Sequence, residues 1–208
     1  MLKLTPKDLK RDRNNTMVRE LLSSEYLGFS VDSLVVRENK SSESTHVECA
    51  LEVRNQTGYD VTYEISGSGR GVLDALFNGI IESLSEDCST LNNISVEEFQ
   101  VQVDEGDLRA LRQKERGSSA AVEICLTIDN GFDNLNRLIP FRSRSRSMLS
   151  ASVSAVVDVI QYYVNSERAV VYLKELIEDS KKRNRFDLTD IYISKLSELM
   201  SNTSYENI

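Results

Sequence analysis

Few residues in this chain have the type and spacing to do chemistry. Histidine occurs once, at His46. With one imidazole, a zinc site, a His-based triad and a His general base are excluded at any other position. His46 stands beside Ser44 and Thr45 at the start of an alternating segment, which reads as a structural or solvated position. Cys49, Cys88 and Cys125 are widely spaced and odd in number, so they form neither a disulfide framework nor a metal-ligand pattern. Cys49 and Cys125 fall inside alternating segments, as small strand residues do. The stretch of greatest interest is Gly67-Ser68-Gly69-Arg70-Gly71, followed by Val72-Leu73-Asp74-Ala75-Leu76-Phe77. A dinucleotide loop needs a third glycine at a fixed offset, and a P-loop ends in Gly-Lys-Ser/Thr; neither is present. The free amides of a helix N-terminus can still hold an anion, with Asp74 competing for the same positive potential. The alternative is a turn that only starts a helix.

The elements that position this stretch follow from periodicity. Tyr26 to Arg37 is rich in β-formers, and Asn39 to Ser44 is a polar loop. Val47, Cys49, Leu51 and Val53 alternate with polar neighbours, as in a half-buried strand. Asn55 to Gly58 reads as a turn, and Tyr59 to Ile65 alternates again, so the pair forms an antiparallel hairpin. Leu73, Leu76, Phe77, Ile80, Ile81 and Leu84 then make a helical stripe. Gly79 within it costs up to ~1 kcal/mol and admits a close neighbouring backbone.

The same order recurs. Phe99, Val101 and Val103 mark one strand; Val122, Ile124, Leu126 and Ile128 mark another, with Glu123, Cys125 and Thr127 facing away. Gly106 to Ser119 is a charged connection between them. Asp129-Asn130-Gly131 is a turn, and Arg137 to Phe141 a weak third strand whose Pro140 suits an edge. Leu149, Ser152, Val153, Val156, Ile160, Tyr163 and Val164 make the second helix. A further helix is expected around Val170 to Ile177, and a last one from Asp187, as N-cap, through Leu199. Asn202 to Ile208 is expected to fray. Residues 1–22 are mostly charged, with a short helix around Met17 to Leu22. Arg142-Ser143-Arg144-Ser145-Arg146-Ser147 reads as a solvated loop whose last serine caps the following helix.

The expected fold class is thus α+β: tandem βββα units with an internal pseudo-two-fold and a helical C-terminal extension. The expected divisions are an arm over 1–22, a domain of two βββα units over 23–166 and a helical extension over 167–208.

Gly69-Arg70-Gly71-Val72-Leu73-Asp74-Ala75-Leu76-Phe77-Asn78-Gly79-Ile80 resembles the G-x-G-P-[VI]-D-A-x-[YF]-x-A-[IL] signature of the C-terminal regulatory domain of α-isopropylmalate synthase, which citramalate synthases share. Val72 stands in place of the proline. Ser145 to Ser152 resembles the family's S-T-D-I-[IV]-E-A-S, matching at Ala151 and Ser152 and departing at Ser147 and Ser150. The resemblance spans roughly Tyr26 to Asn165. It implies a domain that performs no chemistry, dimerises, and binds a branched-chain amino acid, leucine or isoleucine, near the helices after the glycine motifs. Gly69, Gly71, Leu73, Asp74, Leu76, Phe77, Ile80, Ala151 and Ser152 are the ligand-binding candidates. In that reading the Gly69 and Gly71 amides receive a carboxylate, Asp74 an ammonium, and the apolar residues form a wall; ordinary core packing is the competing role for the apolar ones. Gly69 or Gly71 is expected to take a positive φ or to lie where a Cβ would clash.

Composition bounds the rest. The chain has 208 residues and a formal net charge of −8. An acidic protein lacks the basic footprint of a nucleic-acid partner and is ill suited to an anionic membrane. No signal peptide or spanning run is evident, so the expectation is a cytoplasmic homodimer with no cofactor and no enzyme activity. A separate catalytic synthase is the expected partner.

Overall fold

A computed structural model describes residues 5–103, 121–131 and 138–200. Four helices and two three-stranded antiparallel sheets make up the described residues: α1 (Pro6–Leu22), β1 (Gly28–Asn39), β2 (Ser44–Arg54), β3 (Asp60–Gly69), α2 (Val72–Leu84), β4 (Ser95–Val103), β5 (Val122–Asp129), β6 (Leu138–Ser145), α3 (Met148–Lys182) and α4 (Phe186–Met200). The fold is α+β, and three strands followed by a helix occur twice in chain order. The sheets are ordered β1-β2-β3 and β4-β5-β6. Among the described residues no helix is long and apolar enough to cross a membrane. The expected connection over 106–119, the residue Arg137 and the tail from Asn202 lie outside the described residues.

Alternation in β2 does what the sequence implies. Val47, Cys49, Leu51 and Val53 are buried and their neighbours are half-exposed. On β5, Ile124, Leu126 and Ile128 are fully buried. These faces, the α2 stripe and the first half of α3 join in one core that includes Leu76, Phe77, Ile80, Val156, Ile160 and Tyr163. Cys125 departs from the simple pattern: it lies on the opposite face of β5 and is nevertheless buried.

Three differences from the sequence reading have physical causes. First, α1 begins at Pro6, eleven residues earlier than Met17, and carries only a scattered apolar face. A capping box starts it: the Asp8 amide donates to Thr5 Oγ1 at 3.2 Å, and the Thr5 amide donates to Asp8 Oδ2 at 2.7 Å. Polar contacts then hold it. Arg142 donates to Asp8 at 3.1 and 3.2 Å, Asn14 donates to the Tyr162 hydroxyl at 3.4 Å, and the Arg19 guanidinium lies 4.3 Å from the Tyr26 ring centroid. Burial of Asp8 opposes its charge, but the Thr5 and Arg142 donors outweigh burial and lower its pKa. Second, α3 is one 35-residue helix, where two were expected. Its later half packs Ala169, Val170 and Leu173 against Val18 and Leu22 of α1 and Leu199 of α4 in a second core, so the stretch around residue 166 has apolar partners and nothing breaks it. The helix stops at Arg183, with Asn184 in the left-handed region at φ 56°. Third, Arg142 to Ser145 extend β6, pairing with Val122 to Cys125, because Arg142 has its carboxylate partner at Asp8. Ser147 does cap α3, accepting from the Ser150 amide at 3.2 Å. At the other end of the chain, Asp187 lies inside the first turn of α4 rather than capping it, and pairs with Arg185 at 2.9 Å.

The edge of the first sheet is closed by side chains of α3. Fully buried Asn165 receives the Leu27 amide at 2.8 Å and donates to the Leu27 carbonyl at 2.9 Å. One turn earlier, Gln161 Oε1 receives the Phe29 amide at 3.0 Å. Asn165→Ala would leave both Leu27 groups unpaired in the interior, at about 1–3 kcal/mol for each unsatisfied group. Urea denaturation is expected to show that loss, with a smaller one for Gln161→Ala, whose partner Phe29 is only half-buried.

Candidate functional site

The glycine stretch is strand before it is turn. Gly67 pairs with Val47 and Gly69 with Thr45 within the β2–β3 ladder. Gly71 then caps α2 with extended backbone, φ −159° and ψ 172°, and the Ala75 amide donates to its carbonyl at 2.9 Å. Positive φ among the glycines occurs at Gly58 and Gly131, not at Gly69 or Gly71. The expectation of close approach holds for Gly69: a Cβ there would sit 2.6 Å from the Ala75 nitrogen and from Asp74 Oδ2. Gly71 has nothing within 4 Å. Gly67 is the tightest of all, its Cβ position lying 2.1 Å from the Ala75 carbonyl oxygen and 2.8 Å from Gly79 Cα. Gly67 and Gly79 together let α2 lie directly on β3, backbone against backbone.

Asp74 works inside the turn. Its Oδ2 accepts the Arg70 amide at 2.9 Å and its Oδ1 accepts from Asn78 at 3.4 Å. Beside it an open concavity is lined by Ser42, Glu43, Ser44, Ser68, Gly69, Arg70 and Asp74. Of the nine ligand-binding candidates, Gly69 and Asp74 line it. The apolar wall expected there is elsewhere: Leu76, Phe77 and Ile80 are buried in the core, and Leu73 packs against that core. The reason is that a helix lying on a sheet must turn its apolar stripe inward, whereas the concavity faces the wet side. Ala151 is buried in the core, and Ser152 donates back to the Met148 carbonyl at 2.9 Å. The lone His46 bridges Ser68 Oγ at 3.1 Å and Glu48 at 3.3 Å. Glu48 in turn pairs with Arg37 at 2.6 Å.

Two other hollows escaped the sequence reading. One is polar and lies where α1 meets β6 and α3; Arg11, Arg19, Arg142, Asp12 and Asp158 line it. Burial pushes the Asp158 carboxyl above its usual value, opposed by Arg11 and Arg19. The other is a cavity of about 260 Å³ with apolar walls from Leu27, Phe29, Val53, Leu84 and Val164 and polar groups from Tyr59, Tyr63, Asp87, Cys88, Glu167 and Arg168. Its residues come from both sides of the first sheet's hairpin, the end of α2 and the middle of α3. No local spacing links them, so the sequence carried no signal for it. Among the described residues no three His, Cys, Asp or Glu side chains cluster as a metal site would require.

No known family model matches the sequence, and no curated protein is significantly similar to it.

The glycine geometry ranks three substitutions. Gly67→Ala is expected to destabilise most, since its methyl would meet fixed backbone on the facing helix; overpacking of this kind costs about 1–3 kcal/mol or more. Gly69→Ala is expected to follow, and Gly71→Ala to cost least, because its added methyl meets open space and only the N-cap preference for glycine over alanine opposes it. Thermal denaturation of the three variants checks the order.

Proposed function

We propose that this chain is a non-catalytic dimerisation and regulatory module, like the leucine- or isoleucine-sensing domain of α-isopropylmalate synthase, acting in the cytoplasm in trans on a separate catalytic partner. The observation that carries the dimer is β4. Directly opposed residues of an antiparallel pair share a face. Phe99, Val101 and Val103 oppose Leu126, Ile124 and Val122, so they lie on the same face as the second sheet's core. Ile124 and Leu126 are fully buried, yet Phe99, Val101 and Val103 are 45, 41 and 45% exposed. An edge strand with a bare apolar face invites pairing with another chain. A second copy across a two-fold axis closes such an edge with one self-complementary contact. The bulge at Val96/Glu98 and the charges of Glu97 and Glu98 restrict pairing at one end of β4, and among the described residues the rest of the strand pairs only with β5.

The regulatory part rests on the motif Gly69-x-Gly71-x-x-Asp74-Ala75-x-Phe77 and on the recurring order of strands and helix. Such a module performs no chemistry of its own and uses no cofactor. A dimerisation module that has lost its ligand is the second reading. It is favoured by the Arg70 amide being occupied by Asp74 and by Leu76, Phe77 and Ile80 being core residues.

Ligand linkage separates the two. A ligand held by the native state stabilises it by about 2.7 kcal/mol at a hundred times its dissociation constant. Millimolar leucine or isoleucine is therefore expected to raise the thermal midpoint, and valine less so. A midpoint unmoved by all three would remove the effector and leave dimerisation alone.

A further inference from the structure

We propose that the cavity between the first sheet, the end of α2 and the middle of α3 is a binding site for a compact organic cation: a primary ammonium group on a short branched apolar body. This site is separate from the glycine turn and does not depend on the effector reading above.

The apolar part of the argument is the floor. Leu27, Val53 and Leu84 are buried and converge with Phe29 and Val164 on a space of about 260 Å³. That is just below the roughly 300–1,000 Å³ range of small-molecule pockets, which favours a small body over an extended one.

The polar part is the mouth. Tyr59 is 43% exposed and Asp87 is exposed, so these two stand where the cavity meets solvent. The Asp87 carboxylate has no hydrogen bond or ion pair among the described residues. Its neighbours differ in that respect. Glu167 accepts the Cys88 thiol at 2.7 Å, the Thr90 amide at 3.0 Å and the Ser89 amide at 3.3 Å. Arg168 donates to the Glu25 carbonyl at 2.8 Å and lies 3.8 Å from the Glu25 carboxylate. The Arg168 guanidinium thus already holds Glu25, whereas the Asp87 carboxylate stands in the lining of the apolar hollow with no donor of its own among the described residues.

Three further features suit a cation. Glu167 adds a second negative charge to the same lining. The Tyr59 and Tyr63 hydroxyls lie 3.4 Å apart, and their mutual hydrogen bond, burial and the nearby Asp87 charge push Tyr63 up to about 12. The Tyr63 ring therefore stays neutral, and tyrosine rings in a lining are groups that attract ammonium ions. Burial and Glu167 push the Cys88 thiol well up, so it too stays uncharged. A carboxylate ligand would meet two like charges here and a guanidinium already engaged by Glu25.

Calorimetric titration of the full chain with 3-methylbutylamine, 3-methylbutanoate and 3-methylbutanol tests this. The amine is expected to bind at least tenfold more tightly than either the acid or the alcohol. Asp87→Asn is expected to weaken the amine at least tenfold at an unchanged thermal midpoint, because Asp87 is exposed and holds no other group. Tyr63→Phe provides a second variant that keeps the ring and removes the hydroxyl; amine binding is expected to survive it. Equal affinity for amine and alcohol, or amine binding untouched by Asp87→Asn, would overturn the inference. Leucine binding that survives Asp87→Asn, with no amine binding, would also overturn it while leaving the effector reading in place.

Discussion

The buried amide of Asn165 is the contact on which most of this architecture turns. A helix and a sheet edge do not ordinarily satisfy one another, because a helix has no free backbone groups along its length. Here Asn165 presents one donor and one acceptor to Leu27 as a neighbouring strand would, and Gln161 repeats half of that contact at Phe29. The consequence is that α3 lies beside the first sheet as well as over the second. Its first half seals the main core, and its second half serves as the platform on which α1 and α4 close a smaller one. The helices α1 and α4 are thereby tied to the same helix. The cavity proposed to take a cation exists because that helix, held at Asn165, places Val164, Glu167 and Arg168 opposite the β-hairpin.

A second constraint is steric. Gly67 and Gly79 bring β3 and α2 closer than any side chain would allow. Close contact lets the α2 stripe reach the core over its whole length, and this explains a glycine in mid-helix that propensity alone would disfavour. It also gives the glycine-rich stretch a structural purpose that needs no phosphate. Asp74 belongs to the same device, since it pins the Arg70 amide just ahead of the helix.

The parts of this that were legible in the sequence are those with a local period. Val47 to Val53 alternates, Leu73 to Leu84 recurs at helical spacing, and both elements stand where those patterns put them. Ser147 as a cap and Cys49 as a small buried strand residue follow equally from near neighbours. What was hidden depends on partners far away in the chain. The start of α1 carries no apolar stripe, and its local marks are Thr5 with Asp8 three residues on and Pro6 at the first helical position. Arg142 reads as solvated until Asp8, 134 residues earlier, is brought to it. The continuity of α3 past residue 166 follows from Val18, Leu22 and Leu199, none of which is near in sequence. The apolar candidates Leu76, Phe77 and Ile80 were equally compatible with a ligand wall and with a core, because a stripe names the buried face without naming what covers it. The cavity residues from Leu27 to Arg168 share no spacing at all.

The same logic applies to the second sheet. Among the described residues its core face is finished by α3 over β5 and β6 and left bare at β4, where the exposed Phe99, Val101 and Val103 continue the row of Leu126 and Ile124. A chain that completes this row with a second copy of itself has a reason to keep those residues apolar. Sedimentation equilibrium at micromolar concentration tests that claim most directly. The account predicts a species of twice the 23.5 kDa chain mass that reverts to a folded monomer in the double variant Phe99→Lys with Val101→Lys. A parent protein that sediments as a stable 23.5 kDa monomer, or a dimer indifferent to those two changes, would contradict it.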